Sequence, residues 1–134
     1  MTVKFTVYAK PEPQGSTRAF VIKGRAVTTS TNKNLKCYRQ QVSLSAVAAM
    51  NEPGAELILR KNPVRLTVAF YFSRPVSKSK KAFPTVKPDI DKLIRAVGDA
   101  LTGICYADDS QIIDVQAFKF YDSPERTVIE VSQI

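Results

Sequence analysis

Polar and apolar residues alternate in VKFTVYA at the start of the chain, placing Val3, Phe5 and Val7 on one face of a predicted strand. The turn-rich KPEPQGS follows, with Pro11, Pro13 and Gly15. TRAFVIKGRAVTT reads as a hairpin folded at Lys23-Gly24. From Asn32 to Met50 the period lengthens: Leu35, Tyr38, Val42, Ser45/Ala46 and Ala49 recur at helical steps. Thr31 or Asn32 is expected to cap that helix, and NEPG to stop it. PVRLTVAFYFS is the plainest strand, with Val64, Leu66, Val68, Phe70 and Phe72 on one face. RPVSKSKKAFPTVKP reads as a mobile loop. Ile90, Leu93, Ile94, Val97 and Leu101 then trace the stripe of a second helix ending near Gly103. IIDVQAFKFY and RTVIEVSQ, joined by the turn DSPE, are expected to form a closing antiparallel pair.

The element order is β-β-β-α-β-α-β-β, which predicts an α+β fold: a mixed sheet with two main helices packed on it, in one domain spanning residues 1–134. The expected core includes Phe5, Leu66, Val68, Phe70, Leu93, Val97, Leu101, Ile113 and Ile129.

Composition narrows the chemistry. The 134 residues include no histidine, which removes Ser-His-Asp and Cys-His catalysis and the His-containing zinc sites. Cys37 and Cys105 are far apart and outside any CxxC spacing, so both are expected to be reduced. No apolar run is long enough to cross a bilayer, and the first residues read as a strand, so the cytoplasm is the expected compartment.

Charge narrows it further. Residues 1–87 hold 16 Lys/Arg against three acids, while residues 88–134 hold four against nine. A surface this basic faces a polyanion, nucleic acid first among them. Yet five of the seven aspartates fall within KPDIDKLIRAVGDALTGICYADDSQI, residues 87–112.

Two readings of that stretch stand side by side. Pro88 allows a helix to begin at about Asp89, and Asp89 and Asp91 then serve as an N-cap and first-turn acid. Alternatively, Asp108 or Asp109 returns to Asp89 and Asp91, and the converging carboxylates hold a hard cation, Mg²⁺ or Mn²⁺. In a polyanion-binding protein that arrangement suggests phosphodiester hydrolysis. Asp91 and Arg95 stand at i and i+4, as either a surface ion pair or a carboxylate beside a phosphate-facing guanidinium. Lys92 is a second phosphate candidate, and Asp99 reads as structural or solvated.

The same stretch resembles the signature of the RusA-type Holliday junction resolvases: a DxD, then DAL, then DDxQ. The resemblance implies a homodimeric, Mg²⁺-dependent endonuclease that nicks four-way DNA junctions in paired, opposed strands. Carried over by motif position, it makes Asp89, Asp91 and Asp109 catalytic metal ligands, with Asp108 beside them. The family's lysine falls on Arg95 and its asparagine on Lys92. Arg95 keeps the charge but does not release a proton near neutral pH.

The remaining cations are expected to place the junction by its phosphates. They are Arg18, Lys23, Arg25, Lys33, Lys36 and Arg39, with Arg74, Lys78, Lys80, Lys81 and Lys87 in the loop. Phe83 in that loop either stacks on an unpaired base or tucks into the core. Tyr106 is expected to pack beneath the acidic pair. The alternatives to a resolvase are a nuclease for other branched DNA and a non-cleaving, structure-selective DNA-binding module.

Overall fold

The structure is a computed structural model that describes residues 1–15, 17–22, 24–30 and 34–134, with the backbone alone over 17–22 and 25–30. Its described elements are β1 (Thr2–Val7), β2 (Thr17–Ile22), β3 (Arg25–Ser30), α1 (Leu35–Met50), β4 (Val64–Phe72), α2 (Ile90–Leu101), β5 (Ile112–Tyr121) and β6 (Arg126–Gln133). A short 3-10 turn, Asp109–Gln111, precedes β5. The predicted order is therefore observed.

β2 and β3 pair antiparallel as a separate two-stranded ribbon, with Ile22 opposite Arg25; Lys23, the first half of the expected turn, lies outside the described residues. Gly24 takes φ 77°, which a two-residue hairpin turn demands and glycine adopts without strain. The four remaining strands form a mixed sheet ordered β1-β6-β4-β5.

That order corrects one expectation. β5 and β6 are not a hairpin pair: β6 inserts between β1 and β4, while β5 runs parallel to β4 on its other side. The reason is burial. In β4 every inward residue is shielded, from Val64 through Phe72, so it takes the centre, where both its edges are paired. β5 keeps alternating exposed residues and becomes the outer strand. Residues 122–125 therefore step over the end of β4, a distance of about two strand spacings, roughly 10 Å.

A second correction concerns Ile113. Val64 pairs with Ile112 but Arg65 pairs with Asp114, so Ile113 is the extra residue of a β-bulge. It lies 70% exposed, and Ile112 packs against the core in its place. Leu66, Val68, Phe70, Leu93, Val97, Leu101 and Ile129 are buried as expected, and Phe5 is half-buried against them.

Both helices cover the same face of the sheet. α1 buries Leu35, Tyr38, Val42 and Ala46, the predicted stripe. The Tyr38 hydroxyl and Thr127 Oγ1, both buried, share a 2.6 Å hydrogen bond that ties α1 to β6. Asn34 occupies the N-cap position of α1; Thr31 and Asn32, the expected caps, lie outside the described residues. Ser43 Oγ donates to the Ala100 carbonyl at 2.9 Å, joining α1 to α2. The opposite sheet face carries a stacked row, Tyr71, Phe120 and Phe118, with the Arg126 guanidinium 4.0 Å above the Tyr71 ring.

β4, α2 and β5 form a parallel crossover. This unit positions the acidic stretch, since the DxD stands where α2 begins and the DDSQ turn where it returns to the sheet.

Candidate active site

Asp89 occupies the N-cap position of α2 with extended backbone, φ −71° and ψ 140°. The backbone carbonyl of Asp89 accepts from the Leu93 N–H at 3.2 Å, opening the helix. Its side chain makes no capping hydrogen bond. The carboxylate instead faces Lys92 Nζ at 3.4 Å, with both side chains largely exposed. Asp91 lies in the first turn, exposed. The capping explanation thus fails for the side chain of Asp89, although both acids complement the helix dipole.

It succeeds at the other end. Asp108 caps the 3-10 turn: its carboxylate accepts from the Ser110 N–H and hydroxyl, and the Gln111 side chain accepts from the Asp108 N–H at 2.8 Å. The Ser110 hydrogen bonds hold the Asp108 carboxyl below its ordinary pKa.

Gln111, quoted in the DDxQ motif but given no role by the sequence, anchors this turn. It is buried, and its Nε2 donates to the carbonyls of Ile58, Leu59 and Asn62 at 3.3, 2.8 and 3.1 Å. A polar side chain with an apolar neighbour on its C-terminal side, in a motif, was the available signal. The acidic turn is therefore nailed to the segment before β4. Tyr106 is fully buried, its hydroxyl donating to the Gly98 carbonyl at 2.8 Å, so it packs beneath the turn as expected.

Asp109 is carried by that turn to Asp99, and the two carboxyls are in hydrogen-bond contact. Desolvation, then the Asp99 hydrogen bond and the charges of Asp99 and Asp108, push the Asp109 pKa up. Asp99 was expected to be structural or solvated; it is the partner that meets Asp109. Gln14 Nε2 donates to the same Asp99 carboxylate, and the Gln14 N–H donates to the Lys92 carbonyl at 2.9 Å. The segment before β2 is thereby laid along α2. Gly15, at φ 136°, leaves room for this approach: a Cβ there would stand 3.3 Å from an Arg95 guanidinium nitrogen.

Asp91, Arg95 and Asp99 lie at i, i+4 and i+8, so Asp91 and Asp99 are about 12 Å apart along the helix axis. Asp109, docked on Asp99, is held two turns from the DxD. Among the described residues no three His, Cys, Asp or Glu side chains stand together as a group that could hold a metal. The carboxylates that face open solvent at the start of α2, Asp89 and Asp91, still suit Mg²⁺, which takes one or two carboxylates and keeps waters or substrate phosphate for the rest.

Of the expected DNA contacts, Lys36, Lys78, Lys80, Lys81 and Lys87 are exposed, and Arg39 and Arg74 are half-exposed. Arg74 donates within its own loop to the Lys78 carbonyl. That loop is organised by turns, with Lys78 N–H bonded to Pro75 O and Ala82 N–H to Ser79 O, both at 3.0 Å. Phe83 projects from it 69% exposed and is not in the core. The side chains of Arg18, Lys23, Arg25 and Lys33 lie outside the described residues. Cys37 is exposed and Cys105 buried, both as free thiols. Among the described residues no helix is long and apolar enough to cross a membrane.

The chain is similar to known proteins over most of its length. The family model described as "Endodeoxyribonuclease RusA" matches residues 10–132. "Uncharacterized protein YqaN" of Bacillus subtilis (strain 168) is 35% identical over 143 residues, covering 98% of this chain and 96% of that protein. "Crossover junction endodeoxyribonuclease rusA" of Lactococcus phage r1t is 32% identical over 93 residues, covering 69% of this chain and 70% of the relative.

Proposed function

The chain belongs to the RusA endodeoxyribonuclease family, and from that premise we propose that it is a Mg²⁺-dependent endonuclease resolving four-way DNA junctions by paired nicks in opposed strands. The observation that carries the reading is Asp89: a helix N-cap aspartate whose side chain leaves the cap unmade and turns, with Asp91, toward solvent beside a basic loop.

In this reading Asp89 and Asp91 hold the metal, with Mn²⁺ as a possible substitute. An ion held there would supply positive charge at the phosphate and an activated water. Lys92 Nζ, beside Asp89, balances the carboxylate charge and is within reach of an incoming phosphate. Arg95, one turn beyond Asp91, presents a permanent cation to the same strand but transfers no proton. Asp108 and Asp109 stand apart from Asp89 and Asp91, at the opposite end of α2. The lysines at 78, 80, 81 and 87 place the DNA by its backbone, without reading bases. A C2 homodimer matches the approximate two-fold symmetry of the junction and gives each opposed strand one site. The reaction is assigned to the cytoplasm.

One observation favours a second reading, a structure-selective DNA-binding module without cleavage: Asp109 is engaged with Asp99, two turns from the DxD. A gel assay on a synthetic four-way junction and a matched duplex, each with Mg²⁺ or EDTA, separates the two. Paired nicks, seen only on the junction and only with Mg²⁺, are expected from the wild type, and none from Asp91→Asn. Cleavage by Asp91→Asn at the wild-type rate overturns the site; tight junction binding without a cut favours the module. Competition with flapped DNA tests the choice of branch.

A further inference from the structure

We propose that the cleft beside Asp89 receives one unstacked nucleotide of a branched DNA strand, an inference that rests on the nuclease reading above. The cleft has a volume of about 570 Å³, within the range of small-molecule sites and large enough for one nucleotide. Pro88 and Asp89 form part of its wall, so whatever enters lies next to the DxD.

Its lining is bipartite. Tyr121, half-buried at the end of β5, offers ring surface, and Phe72, Pro11 and Pro84, nearly buried, contribute apolar edges to the wall. Around these stand the ammonium groups of Lys10, Lys87, Lys92 and Lys119. Rings for a base and cations for its phosphates are the two components of single-strand binding sites. Three acids share the lining, Glu12, Asp89, which faces Lys92, and Glu125, which accepts from the Ser73 N–H at 3.2 Å, and the four lysines outnumber them. Lys119 Nζ donates to the Val86 carbonyl at 2.7 Å, holding the basic loop against β5 and keeping the wall in place. Phe83, exposed and next to Pro84, adds a ring on the same loop.

A cleft of this kind makes DNA shape a condition of binding. In a paired duplex the bases are stacked and unavailable, and unstacking costs least where a base is already unpaired. At the branch point of a junction the continuous stack is interrupted, so a base beside the phosphate to be cut is released at a lower cost than one inside a duplex.

The test uses the full chain in EDTA, so that it reads binding alone. A four-way junction carrying 5-iododeoxyuridine next to the crossover is irradiated with wild-type protein and with Ser73→Trp, which fills the cleft and leaves the backbone N–H bond to Glu125 intact. Wild type is expected to crosslink through the segments holding Val86 and Tyr121. Ser73→Trp should lose about tenfold in crosslink yield and junction affinity, while its duplex affinity stays within about twofold. A second arm needs no variant: an abasic site at the same position should weaken wild-type binding by about tenfold. An unchanged affinity for the abasic junction overturns the proposal, as does full crosslinking by a folded Ser73→Trp. A protein that cuts in Mg²⁺ but shows neither effect loses the cleft and keeps the nuclease; one that shows both and never cuts loses the nuclease and keeps the cleft.

Discussion

Removing the Gln111 side chain should unfasten the acidic turn from the body of the protein. Gln111→Ala deletes one acceptor and two donor hydrogens that together serve four backbone groups. The cost is not shared equally. The Ile58 carbonyl still accepts from the Ala107 N–H at 3.1 Å, and the Leu59 carbonyl from the Asn62 N–H at 2.9 Å. The Asp108 N–H and the Asn62 carbonyl have no such second partner among the described residues. Asn62 and Asp108 are half-buried, so each group stripped of its partner costs about 1–2 kcal/mol, the lower part of the range for buried groups, and the expected loss is about 2–4 kcal/mol. For a domain of this length that lowers Tm by roughly 10 °C. Because Asp109 rides on the turn, junction cleavage in Mg²⁺ should fall at temperatures where the variant is still folded, with junction binding in EDTA retained. Thermal unfolding by circular dichroism and the gel assay read the two effects. Gln111→Glu keeps the acceptor for Asp108 but points a carboxylate at three carbonyls, and should be no better. A Gln111→Ala protein within about 0.5 kcal/mol of wild type, with normal cleavage, would refute the idea that this side chain positions the turn.

Three further outcomes are expected. Gly15→Ala forces a side chain into φ 136° and against Arg95, and should destabilise the protein by about 1 kcal/mol or more while slowing cleavage, read as a Tm shift and an initial rate. Tyr38→Phe should cost about 1–2 kcal/mol by stranding the buried Thr127 hydroxyl, and Tyr38→Phe with Thr127→Val should recover part of it in a denaturant-unfolding cycle. Burial pushes the Cys105 thiol up to about 11, so native protein at pH 8 should react with iodoacetamide at Cys37 alone, as mass spectrometry of labelled peptides will show. The sign for stability follows: the folded state keeps the Cys105 proton that the unfolded chain gives up near its ordinary pKa, so this contribution declines as pH rises from about 8.5 toward 11.

The local readings that held share a cause. Helix and strand periods depend on which residues face the core, and the apolar stripes of α1, α2 and β4 declare this without reference to partners. Gly24 was legible as a turn residue because a two-residue hairpin requires positive φ and a glycine supplies it. The DxD and DDxQ motifs were equally legible as acidic, and Pro88 located the start of α2. Gln14 and Gly15 were not, since their roles arise from contact with a helix some 80 residues away.

By itself, then, the sequence determined the order and type of the elements, the faces they bury, the basic surface and the concentration of acids at the two ends of one helix. These follow from spacing and composition, which act locally. Tertiary structure decided what spacing cannot encode. β6 enters between β1 and β4 because the most apolar strand needs partners on both edges, and a bulge turns Ile113 outward where parity alone places it inside. Tertiary packing also separated the roles of the aspartates: Asp108 caps a turn, Asp109 meets Asp99, and Asp89 stands uncapped beside the cleft. A carboxylate has the same chemistry in each place. Its neighbours, brought there by the fold, decide whether it caps a turn, meets a second carboxyl or faces a lysine in solvent.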